Sequence, residues 1–204
     1  MIRNAYIFVP GVLSYPGAAR NWTDRAVTWI HKRATCEVAE KFEYLALPAT
    51  RNLLTARRAA ELAALIDNYS IEQFSLVLAG HSYGCELIRL ALQQSRRPAN
   101  FVHLFAPAIP SEPRRHRLKA AVADGRIGFL SLYISTRDRV LAKSFIGGLS
   151  ADAVSSQFAD EHHTSIITGS GGHSRWFEAQ NFEQSMRSII GLATPAETTN
   201  GGTQ

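Results

Sequence analysis

The chain has 204 residues, is 46% hydrophobic and 19% charged, and uses Gly and Pro at ordinary frequency. That is enough apolar material for one domain with a sizeable core, and too little polar bias for disorder. The net charge of +5 is dispersed apart from Arg57-Arg58 and Arg114-Arg115-His116-Arg117. The basic stripe with interleaved aromatics that marks a nucleic-acid binder is missing, so no nucleic-acid partner is expected. No apolar run is long enough to span a bilayer, and Met1-Ile2-Arg3-Asn4 does not open a signal peptide. Cys36 and Cys85 fall in no paired motif, so reduced thiols in a cytoplasmic protein are expected.

In chain order, apolar runs alternate with helical patterns. Ala5–Val9 and Phe42–Leu47 read as strands, and Arg57–Tyr69 reads as a helix with Ala59, Leu62, Ala63 and Ile66 on one face. Phe74–Ala79 is the next strand, followed by a buried helix over Tyr83–Gln94 and a strand at Phe101–Phe105. Ala106–Gly128 carries Pro107, Pro110 and Pro113 before a short basic helix; it is too short for a cap domain but long enough for a small flap. Phe129–Ser135 and Thr164–Thr168 complete six strands, and Phe182, Met186, Ile189 and Ile190 mark a closing amphipathic helix. Most of the strands are continuously apolar rather than alternating, as strands covered on both faces are. The expected fold is α/β: a doubly wound, mainly parallel sheet of about six strands. It forms one domain over residues 1–191, with 192–204, rich in Thr, Gly and Asn, as a disordered tail.

One turn carries chemistry. Gly80-His81-Ser82-Tyr83-Gly84 joins the strand Phe74–Ala79 to the helix beginning at Tyr83, and this context raises a short GxSxG match above coincidence. A serine hydroxyl is a poor nucleophile until a base takes its proton, so it must project clear of the sheet towards one. A tight strand-to-helix turn achieves that, with glycines where side chains would collide. The helix start offers backbone N–H groups, of which Tyr83 N–H is placed to stabilise an oxyanion.

With this turn in that setting, residues 5–191 resemble the α/β-hydrolase family, in a small, capless form. The family orders its triad as serine, then acid, then histidine, each in a loop after a strand. The resemblance therefore implies Asp138, just past Phe129–Ser135, as the acid. Three late histidines compete for the base. His162 and His163 precede the strand Thr164–Thr168, at the wrong end of the sheet, whereas His173 follows it in Gly169-Ser170-Gly171-Gly172-His173, so His173 is preferred. His81 is expected to pack beside the turn. The second oxyanion donor of the family comes from the loop after an early strand; Val12 N–H in Val9-Pro10-Gly11-Val12-Leu13 matches that place, although Pro10 stands where histidine is usual.

The resemblance implies hydrolysis of an acyl bond in a small-molecule substrate, most often a carboxylic ester, with no metal and no cofactor. Thioesters, lactones and amides are alternatives within the same chemistry, and a non-catalytic binding protein of the same fold is the alternative outside it. Adjacent His162-His163 lacks a third ligand at metal spacing. Ser14, Tyr15 and Pro16, with Trp176 and Phe177, either line a substrate pocket or pack in the core. The basic stretch Arg114–Lys119 reads as a solvated helix face, or else as a surface for an anionic substrate or a membrane.

Overall fold

The computed structural model describes residues 2–12, 21–33, 37–44, 51–109, 112–143, 158 and 162–193. The elements are β1 (Arg3–Val9), α1 (Trp22–Arg33), β2 (Val38–Lys41), α2 (Arg51–Asp67), β3 (Phe74–His81), α3 (Tyr83–Gln94), β4 (Ala99–Phe105), α4 (Glu112–Ala123), β5 (Ile127–Ser135), α5 (Arg139–Lys143), β6 (Thr164–Gly169), a 3-10 turn (Arg175–Phe177) and α6 (Ala179–Ala193). The six strands form one sheet in the order β2-β1-β3-β4-β5-β6, and every neighbouring pair is parallel. Strand order reverses between β1 and β3, which opens a crevice at their C-terminal ends.

Alternation along β1 shows why its sequence is uniformly apolar. Ala5, Ile7 and Val9 join the core under α2, α3 and α4, while Tyr6 and Phe8 join the opposite core under α1 and α6. With both faces covered, no position is left for a polar side chain. Helix α1 contributes Trp22, Ala26 and Ile30, a stripe at four-residue spacing that the sequence reading missed because so few of its residues are apolar. Helix α2 starts at Arg51, six residues before the predicted helix.

The second strand requires a correction. The run Phe42–Leu47 was expected to be β2, but the strand is Val38–Lys41 and ends where that run begins. Phe42 N–H still bonds Phe8 C=O at 2.9 Å, the last rung towards β1. Phe42 and Tyr44 are buried because their rings pack on each other, 5.6 Å apart, and Tyr44 meets Tyr83 edge-on at 6.3 Å. Apolarity there reports packing beyond the strand. The strand itself lies at the sheet edge and tolerates Glu40 and Lys41. Residues 45–47 lie outside the described residues.

In the stretch long enough for a small flap, α4 seats Leu118, Ala121 and Val122 in the core between β4 and β5 in the chain. Helix α6 runs through Ala193, two residues into the predicted tail, whose remainder lies outside the described residues. Among the described residues no helix is long and apolar enough to cross a membrane.

One charged cluster is buried beside α3. Glu86 accepts hydrogen bonds from Arg89 Nε at 2.7 Å and Arg89 Nη2 at 2.8 Å. Arg114 of α4 reaches the same carboxylate at 3.1 Å, so part of the predicted solvated basic face is anchored inward. The Arg89 side chain is only 2% exposed. Replacing Glu86 with Ala strands that guanidinium without its counter-charge and is expected to cost about 3–5 kcal/mol. Urea unfolding of Glu86→Ala against the parent chain, at unchanged slope, checks this.

Candidate active site

Ser82 sits between β3 and α3 with φ 53° and ψ −120°, a left-handed conformation that non-glycine residues rarely adopt. Three backbone hydrogen bonds hold it there. Ser82 N–H bonds Phe105 C=O at 2.9 Å, and Ser82 C=O accepts from Cys85 N–H at 3.1 Å and Ala108 N–H at 3.2 Å. Ala106, between those two β4-loop residues, also has positive φ, 44°. Close approach explains the glycines around the turn. A Cβ on Gly84 would overlap the carbonyl oxygens of Val9 and Pro10, and one on Gly80 would lie 2.7 Å from Ile88 Cδ1. The loop after β1 presses on the turn from the other side, where a Cβ on Gly11 would be 3.0 Å from Ser82 Cβ. Val12 follows directly, and Tyr44 Oη donates to Pro10 C=O, bracing this loop.

Asp138 lies in the loop after β5. Its Oδ1 accepts the N–H groups of Val140 and Leu141, each at 3.0 Å, capping α5. Its Oδ2 is 2.7 Å from His173 Nδ1, in a contact where the side chains are only 7% and 13% exposed. Burial raises the Asp138 pKa, but the hydrogen bond from His173, the two backbone N–H groups and the imidazole charge outweigh it and leave it below the usual carboxylate value. The carboxylate is therefore ionised at neutral pH, and His173 Nδ1 must be the donor. That fixes the tautomer and leaves His173 Nε2 with its lone pair.

His173 reaches the serine turn through His81. The two imidazole rings lie 4.7 Å apart at 48°, and His81 Nε2 donates to the His173 backbone carbonyl at 3.1 Å. Among the described residues Ser82 Oγ and His173 Nε2 form no direct hydrogen bond, and such contacts commonly tighten only when substrate binds. Thus His173 lies against His81, the neighbour of Ser82, and Asp138 holds the His173 ring, all at the C-terminal ends of the strands.

His162 and His163 stand exposed at the start of β6, at the opposite end of the sheet. Among the described residues no three His, Cys, Asp or Glu side chains gather as a metal site. Trp176 and Phe177 are core residues: Phe177 stacks on Trp22 at 4.0 Å, and Trp176 packs edge-on against Tyr133 at 5.4 Å. Ser14, Tyr15 and Pro16 lie outside the described residues. The part sequence reasoning missed is the contact from His81 to the His173 carbonyl, which spans 92 positions and has no local signature.

Comparison with solved structures identifies the fold. A protein of Xanthomonas campestris pv. campestris described as a hydrolase of the alpha/beta superfamily superposes with a TM-score of 0.65 at 18% identity, over 94% of this chain and 98% of its own. A YdeN-like hydrolase of Pectobacterium atrosepticum gives 0.58 at 15%, over 94% and 91%. Zea mays acyl-protein thioesterase 2 gives 0.55 at 11%, over 95% of each chain. No protein-family model and no curated protein matches the sequence. The chain has the α/β-hydrolase fold.

Two histidines are kept neutral by the fold. Burial, then the charge of His173, pushes His81 down to about 4, and burial pushes His103, in the middle of β4, down to about 3. In the unfolded chain both titrate near ~6.5. As pH falls from about 6.5 towards 4, the unfolded chain takes up protons that the folded chain refuses, so the stability due to neutral burial is present above that window and lost within it. Urea midpoints between pH 7 and 5 are expected to fall with pH, with about two protons bound on unfolding. His103→Gln should reduce the uptake by about one proton, whereas a flat profile would contradict this assignment.

Proposed function

We propose that this chain is a serine hydrolase that cleaves carboxylic esters through an acyl-enzyme. The observation that carries the reading is the part-buried 2.7 Å contact of Asp138 with His173 near a serine held in strained geometry. The similar solved structures named as hydrolases and a thioesterase support acyl-transfer chemistry of this kind.

In this reading Ser82 Oγ attacks the substrate carbonyl while its proton passes to His173 Nε2. Asp138 stays ionised, orients the imidazole and stabilises the imidazolium. The oxyanion is bound by the backbone N–H groups of Val12 and Tyr83, the latter at the N-terminus of α3. As the tetrahedral intermediate collapses, His173 returns the proton to the leaving alcohol. Water then enters by the same route, His173 takes its proton, and as the second tetrahedral intermediate collapses His173 returns that proton to Ser82 Oγ and the acid is released. No step calls for a metal or a cofactor. A cytoplasmic setting belongs to the same proposal.

A fluorophosphonate probe is expected to label Ser82 in the parent chain and not in Ser82→Ala. Asp138→Asn should lower kcat on a short p-nitrophenyl ester by a factor on the order of 10⁴, by allowing the wrong imidazole tautomer. Equal labelling of the parent chain and Ser82→Ala would overturn the reading in favour of a binding protein.

A further inference from the structure

We propose that His81 is a positioning residue, whose Nε2–H ties the loop carrying His173 to the turn carrying Ser82. The proposal rests on the reading of Ser82, Asp138 and His173 as the reacting groups. It concerns how two of them are held in register.

The need for such a tie follows from the topology. Ser82 is fixed to the middle of the sheet: its neighbour His81 pairs with Phe105 in the β3–β4 ladder. His173, by contrast, lies in the loop after β6, which among the described residues pairs with β5 alone. That loop includes Gly171 at φ 152°, a backbone state open mainly to glycine. Asp138 holds the His173 ring, but from the loop after β5, two strands away from Ser82 in the sheet. Among the described residues, the bond from His81 Nε2 to the His173 carbonyl is the one hydrogen bond joining the His173 loop to β3.

The chemistry of that bond is one-sided. A backbone carbonyl only accepts, so His81 must carry its proton on Nε2 and leave Nδ1 bare. Nδ1 lies on the side of the β1 loop, where a Cβ on Gly11 would come within 3.3 Å of it. The ring is also held from a third direction. Phe177 meets it edge-on at 5.5 Å and is itself stacked on Trp22. His81 is thus wedged between the β1 and β6 loops, the two segments that must face each other across Ser82.

The test uses the full chain and a short p-nitrophenyl ester, comparing the parent with His81→Gln, His81→Asn, His81→Phe and Ser82→Ala. Gln places an N–H donor at about the reach of imidazole Nε2; Asn is too short, and Phe keeps the ring but has no donor. His81→Asn and His81→Phe are expected to lower kcat about 10- to 100-fold with KM within about twofold, the signature of misplaced reacting groups rather than lost binding. His81→Gln should stay within about threefold of the parent kcat. The downfield proton NMR signal of His173 Nδ1–H should persist in His81→Gln and broaden or vanish in His81→Asn. Parent-like kcat in His81→Asn overturns the proposal, as does a His81→Gln variant no better than His81→Asn. If His81→Phe does not fold, the Gln and Asn pair still decides. If Ser82→Ala hydrolyses the ester as fast as the parent, the reading of Ser82 as nucleophile fails, and the proposal falls with it.

Discussion

A serine at φ 53° and ψ −120° carries strain on the order of 1–3 kcal/mol, and this turn keeps it only because both its backbone groups are claimed from outside. The N–H goes to Phe105 and the C=O receives Ala108 as well as Cys85, so the end of β4 clamps the end of β3. Ala106, the residue between the two clamping groups, is itself at φ 44°. Two strained residues on neighbouring strands thus hold each other in place. The other local requirements follow from the same constraint. Because the turn is drawn close to β1, Gly84 must lack a side chain beside Val9 and Pro10, and Gly11 must lack one beside Ser82.

The proposed site draws on loops at the C-terminal ends of several strands. The β1 loop brings Gly11 and Val12, β3 brings His81 and Ser82, and the loops after β5 and β6 bring Asp138 and His173. Two of the polar groups there are closely matched. Asp138 accepts three hydrogen bonds, and His81 uses its one N–H on a carbonyl. Behind them the stacked Trp22–Phe177 pair and the adjoining Phe105 form an apolar wall that keeps His81 dry and therefore neutral.

Strands buried on both faces announce themselves by continuous apolar runs, so β1, β3, β4 and β5 were legible to within about two residues, and the half-buried β6 was legible from its Ile166-Ile167 pair. The edge strand β2 was not, because Glu40 and Lys41 face an open side while the apolar Phe42 and Tyr44 lie past its end. Helix α1 escaped notice because its stripe of Trp22, Ala26 and Ile30 is narrow amid polar residues. Ser82 stood out because local sequence specifies a strand, a glycine-flanked turn and a helix together. Chain order singled out Asp138 and His173, and the structure places them 2.7 Å apart across 35 positions. What no sequence pattern encodes is a partnership set by tertiary packing, such as Arg114 with Glu86 or His81 with the His173 carbonyl. The same holds for Trp176 and Phe177, whose core role depends on which face of the sheet they meet.

The most direct test of the account is a rapid acid quench of the chain during turnover of p-nitrophenyl acetate, followed by intact mass measurement and peptide mapping. The account predicts one acetyl group per chain, carried on Ser82, accumulating in the first turnover and absent from Ser82→Ala. Turnover with no acyl adduct at any quench time, or an adduct on another residue whose loss abolishes turnover, would contradict it.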